Sequence, residues 1–227
     1  QAASGFTSLS LAENNPIHYY TTEPAIVEHE DGDYYEFDLI AWTEQSSRFL
    51  SGLVFIGYDQ EVFGTLAAEN NNLIISAGEL INTQYEIPGA TQPVNAYTTL
   101  SADHSKNILA VGSVWNPLAV SLLNYQNASA LNQETAYLHL ALKIQNMPSD
   151  IDQLIWLEQN DILNTQQTYL DQNNNWHSYS SLEFGAPQIL SGTAPENHFQ
   201  GIYPNPFNPA ATLHFYLDTE AEVELNI

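Results

Sequence analysis

Asp171-Gln172-Asn173-Asn174-Asn175 puts one carboxylate and two amide oxygens at alternate positions. This is the D-x-N-x-N opening of an oxygen-rich calcium loop. Asp171, Asn173 and Asn175 are therefore candidate ligands for Ca2+, a hard cation that takes carboxylate and carbonyl oxygens. The rest of an EF-type loop is missing. Trp176 stands where glycine is needed, Leu182 where the bidentate glutamate belongs, and Glu183 falls one place late. A polar hairpin turn is the competing reading and the stronger one. Asp31 and Asp33, flanked by Glu28 and Glu30, form a second candidate metal group, weighed against a solvated turn.

Catalytic chemistry has little support. The seven histidines are His18, His29, His104, His139, His177, His198 and His214, and none makes an H-x-H or H-E-x-x-H pattern. His139 shares a strand face with Lys143, which reads as a surface histidine. There is no G-x-S-x-G and no glycine-rich phosphate loop. Paired carboxylates could hydrolyse a glycoside. With 27 acidic residues, however, a chance pair carries little information. The sequence predicts no enzyme and no catalytic residue.

Those 27 acids face only three basic residues, Arg48, Lys106 and Lys143, for a formal charge of −24. Nucleic acid and anionic membrane need a basic surface, so both are excluded as partners. Almost no carboxylate has a basic partner, so solvent, salt or divalent cations must relieve the repulsion. Ca2+ is the one cofactor the residues point to. Cysteine is absent, which removes disulfides and thiol ligands. No apolar run reaches the ~18 residues of a membrane-spanning helix.

The elements that must position these groups read as strands. Tyr35, Phe37, Leu39 and Ala41 alternate with Glu36, Asp38 and Ile40, after a turn at Asp31-Gly32. Phe49–Tyr58 is nearly all apolar, as a central strand would be, and Asp59–Gly64 turns away from it. Leu73–Ser76, Ile108–Val114, Ala136–Ile144 and Leu154–Leu157 read as further strands. Turns rich in Asn, Gly, Pro and Asp fall at Glu69–Asn72, Pro88–Pro93, Pro148–Asp152 and Asp171–Asn175. Pro117–Tyr125 could be a short helix or a strand. Trp42, Trp115, Trp156 and Trp176 are expected to fill the core. The pattern predicts an all-β sandwich.

Gly52–Phe63, an apolar strand ending in Tyr-Asp and a short acidic turn, resembles the cohesin-type pattern. Ala136–Ile144 resembles a late core strand of the same family. The resemblance covers roughly residues 30–160. It implies a nine-stranded jelly-roll-like sandwich that binds protein partners through a flat sheet face. A linker-like Ser191–Asn197 leads to a second resemblance. Tyr203, Pro204, Asn205, Pro206, Phe207, Asn208 and Pro209 resemble the opening of the C-terminal sorting domain of the Bacteroidota-type (type IX) secretion system. Pro204, Pro206 and Pro209 make this run extended, since each lacks an N–H and fixes φ. It should deliver the chain into strands at Leu213–Leu217 and Val223–Ile227. This resemblance implies export to the bacterial cell surface.

The expected organisation is a cohesin-like sandwich over residues 1–190, a linker over 191–202, and a Pro-rich β segment over 203–227. That last segment is read as the incomplete front of a sorting-type, Ig-like domain. The expected role is a non-enzymatic surface subunit that polymerises into a layer or filament, with strand addition at open sheet edges. The alternative is a module that binds a partner protein or a surface polysaccharide.

Overall fold

Glu30 and Asp31 turn the strand Ala25–His29 back into Gly32–Thr43, with His29 paired to Gly32. Gly32 holds φ at +138°, which side-chain-bearing residues rarely adopt. The turn dipeptide thus sets the hairpin. Beyond it, Tyr35, Phe37, Leu39 and Ala41 point inward, each no more than 3 % exposed. Glu36 and Asp38 take the other face, as the period of two requires.

The computed structural model describes residues 10–11, 15–86, 91–148, 153–185, 198–203 and 212–216. The chain divides into two compact units, Gln1–Pro187 and Gln188–Ile227. The first unit is a two-sheet β-sandwich. One sheet runs Ser10–Leu11, Trp176–Ser178, Thr168–Leu170, Ser47–Tyr58, Ile108–Trp115, Tyr97–Ser105. Ser129–Leu131 and Ile155–Glu158 also pair with Ser47–Tyr58. The second sheet runs Leu182–Phe184, Ile17–Thr21, Gly32–Thr43, Thr135–Lys143, Leu73–Ala77, and Ala25–His29 joins it on Gly32–Thr43. Two short pairings are parallel, Ser10–Leu11 with Trp176–Ser178 and Leu182–Phe184 with Ile17–Thr21.

Ser47–Tyr58 has strand neighbours on both edges, and its inward residues Phe49, Val54, Ile56 and Tyr58 are buried in the core. The core is rich in tyrosine, and its hydroxyls are bonded rather than stranded. The Tyr137 hydroxyl donates to the Gly52 carbonyl at 2.7 Å and meets Ser113 Oγ at 3.0 Å. Tyr97 donates to the Phe49 carbonyl at 2.7 Å, and Tyr19 to Gln167 Oε1 at 3.0 Å. Tyr179 pairs with Ser47 Oγ at 2.7 Å. These bonds let large rings fill the sandwich without leaving buried polar atoms unpaired.

Some sequence expectations change. Only Trp115 among the tryptophans belongs to the core; Trp42 and Trp156 are half-buried, and Trp176 is 49 % exposed. Trp176 directly follows the tight turn that joins two short strands. Pro117–Leu122 is a 3-10 helix whose start is capped by Asn116. Tyr97–Ser105, unread in the sequence, is a nine-residue strand. In the second unit, His198–Tyr203 pairs antiparallel with Thr212–Tyr216. Pro204–Pro209, Ser191–Asn197 and Val223–Ile227 lie outside the described residues.

Candidate functional site

The outer faces of the two sheets differ in kind. On the second sheet, adjacent strands bring His139 opposite Asp38 and place Glu36 between two imidazoles. His29 Nε2 lies 2.6 Å from Glu36 Oε1, and His139 Nε2 lies 3.5 Å from Glu36 Oε2. His139 Nδ1 sits 2.9 Å from Asp38 Oδ1. At one end Lys143 reaches Asp31 Oδ2 at 2.7 Å, and Tyr34 donates to the same oxygen at 3.0 Å. The hydrogen bonds from Lys143 and Tyr34 hold the Asp31 carboxyl below the usual range. At the other end His18 stacks on Trp42, with ring centres 3.9 Å apart, and lies 3.6 Å from Glu183. Burial pulls the His18 pKa down, against the pull of Glu183 and Glu44.

The sequence-predicted metal ligands are engaged in local bonds. Asp171 Oδ1 accepts the backbone N–H groups of Asn173 and Asn175, each at 2.8 Å. Asp171 Oδ2 accepts from the Asn175 amide at 3.0 Å and faces His177 Nε2 at 3.2 Å. Burial alone would push this carboxyl up. The bonds from Asn175, His177 and Asn173 outweigh it and bring the pKa down to about 2. The five residues make the turn between Thr168–Leu170 and Trp176–Ser178, with Asn174 in the left-handed region at φ +63°. Asp31 is taken up by Lys143 and Tyr34, while Asp33 pairs in register with Glu28. Among the described residues, no group of three or more His, Asp or Glu is placed to hold a metal ion.

The first sheet presents a different surface. Leu109, Val111, Ser113 and Trp115 point into the core, so Ile108, Ala110, Gly112 and Val114 face outward. In register with them lie Leu53, Phe55 and Gly57 on one side, and Thr98, Leu100 and Ala102 on the other. None of these residues carries a formal charge. Leu100 is 41 % and Val114 36 % exposed. Phe55 is covered by the His104 ring, stacked at 4.4 Å. Ala102, Ala110 and Gly112 keep the centre low. The inward-facing Asp103 is spent on the backbone N–H groups of Ala68 and Glu69. The sequence does carry a signal for this face: residues 87–102 and 107–133 contain no charged residue at all.

Comparison with known proteins gives likenesses among solved structures. No family model matches the chain, and no curated protein does. A type II cohesin, A11 from Bacteroides cellulosolvens, is similar with a TM-score of 0.45 and 13% identity, over 76% of this chain and 96% of that one. The second type II cohesin module of the adaptor ScaA scaffoldin of Acetivibrio cellulolyticus gives 0.43 and 13%, over 82% and 95%. A type I cohesin–dockerin complex from Clostridium thermocellum gives 0.37 and 14%, over 74% and 99%.

Proposed function

We propose that this chain is a non-enzymatic binding module, exported to the cell surface, that docks a partner protein on the outer face of its first sheet. One observation carries the reading. Three adjacent strands expose a low apolar strip without a formal charge, on a chain whose net charge is −24. Interface centres are depleted in charge, and a flat sheet face lets a partner bury such a strip without desolvating ions. The export part rests on the sorting-type resemblance of Tyr203–Pro209.

The test uses a dockerin module as first probe, because dockerin is the partner held in the similar C. thermocellum complex. Calorimetry should show saturable binding to the whole chain. Ala110→Arg, which plants a charge at the centre of the strip, should weaken it at least about tenfold, a loss of ~1.4 kcal/mol. Glu28→Gln, on the opposite sheet, should leave it unchanged. Sedimentation of the chain alone separates the rival idea. Concentration-dependent self-association abolished by Ala110→Arg would replace a foreign partner with a second copy. A monomer that binds no dockerin would remove the support for this partner class.

A further inference from the structure

Three connections meet at one end of the first sheet and frame a hollow of about 360 Å³. They are Asp59–Glu61, the turn at Lys106-Asn107, and the segment entering Ile155–Glu158. Backbone bonds lock them together. Tyr58 N–H donates to the Asn107 carbonyl at 3.0 Å, and Asp59 N–H to the Leu154 carbonyl at 2.9 Å. The buried Tyr58 hydroxyl donates to the Lys106 carbonyl at 3.0 Å. These bonds tie the three connections to one another.

Trp156 forms one wall. Its indole lies directly over Gly57, where an added Cβ would come within 2.1 Å of the ring. Its Nε1–H donates to Glu158 Oε2 at 2.9 Å. Glycine below and carboxylate at the edge thus hold one ring orientation. The other walls are lined by Asp59, whose Oδ1 accepts the Glu61 N–H at 2.8 Å, and by Gln60, Glu61, Asn107 and Gln153. A fixed aromatic plane beside mixed acceptors and donors suits a ligand with an apolar C–H face and a rim of hydroxyls. We propose that this hollow binds one or two rings of a neutral polysaccharide. Its volume lies at the lower end of small-molecule sites. Three carboxylates at or beside the site, Asp59, Glu61 and Glu158, on a chain of charge −24, turn away uronic or sulfated sugars. The hollow adjoins the protein-docking strip at Gly57, over which Trp156 lies, and is remote from Leu100 on the strip's far strand.

The test is saturation-transfer NMR and tryptophan fluorescence of the whole chain with soluble cello-, xylo-, manno- and chito-oligosaccharides, and with a uronic-acid oligomer as control. At least one neutral series should bind with a Kd of about 1 mM or tighter. Trp156→Ala should weaken it at least tenfold and Asn107→Ala severalfold, while Leu100→Glu on the strip leaves it intact. If Trp156→Ala melts early, Asn107→Ala and Gly57→Ala, which displaces the indole, decide the matter. Absence of binding to every neutral series, equal binding by Trp156→Ala, or preference for the uronic-acid oligomer overturns the proposal.

Discussion

Tyr137→Phe removes one oxygen from the centre of the sandwich and should cost far more than a surface hydroxyl. The side chain is fully buried, and its hydroxyl has two partners. Its single proton goes to the Gly52 carbonyl, so Ser113 must supply the proton in their shared bond. Deleting the oxygen breaks both bonds and strands the Ser113 hydroxyl, which is 0 % exposed. Each lost bond is worth about 0.5–1.5 kcal/mol net, and a stranded buried donor about 1–3. The sum is about 2–6 kcal/mol. For a sandwich of this size, at about 2–4 °C per kcal/mol, that lowers Tm by roughly 4–24 °C. Burial pushes the Tyr137 phenol well above its ordinary range, so the group stays a neutral donor and the loss does not vary with pH. Urea unfolding followed by fluorescence measures it, with an unchanged m-value as the sign that only stability moved. Adding Ser113→Ala to the variant should cost little more, because the stranded hydroxyl goes with it. A Tyr137→Phe variant within about 0.5 kcal/mol of the parent would refute the picture of a bonded tyrosine core.

Two further outcomes follow from titratable groups. Asp171, depressed to about 2, adds stability above its unfolded pKa near 3.9 and loses it as pH falls toward 2. The stability gap between the parent and Asp171→Ala should therefore be full at pH 7 and close over that window. EGTA should leave the gap unchanged, since N–H donors already occupy both oxygens. His18 is depressed by burial, so it is neutral in the fold and opposes folding once pH drops below the unfolded value near 6.5. An NMR titration should place its midpoint below that value, and a midpoint above it would contradict the buried stack on Trp42.

Strands with strict alternation were legible. Tyr35, Phe37, Leu39 and Ala41 declared their face because Glu36 and Asp38 could not share it. The central strand ending at Tyr58 was legible as a long apolar run: its inner face is buried, and rings from neighbouring strands lie over part of its outer face, His104 on Phe55 and Trp156 on Gly57. Tyr97–Ser105 was not. It is an edge strand whose inner residues beyond Tyr97 are only partly covered, so Thr, Ser and Ala dilute the period. The tryptophans misled because hydrophobicity alone does not say what covers a ring. Trp156 is held by a glycine a hundred residues away, a proximity that only the pairing of Ile155–Glu158 with Ser47–Tyr58 creates. The acidic clusters were legible only in part. Spacing gives the order of oxygens along the chain, while the turn decides whether they face a cation or the backbone's own N–H groups. At Asp171 the backbone takes them.

The distribution of charge ties the two sheets together. Glu36, Asp38, Asp31 and Glu183 gather on or beside the outer face of the second sheet, along with most of the histidines that contact carboxylates. The strip on the first sheet is built from three strands lying largely in uncharged spans of sequence. A field from −24 charges acts beyond a contact only within the Debye length, about 8 Å at physiological salt. A partner docked on the strip, as proposed, would therefore meet it at short range, by shape and apolar area. A partner docking there gains little from long-range steering, so added salt should change its association rate only slightly.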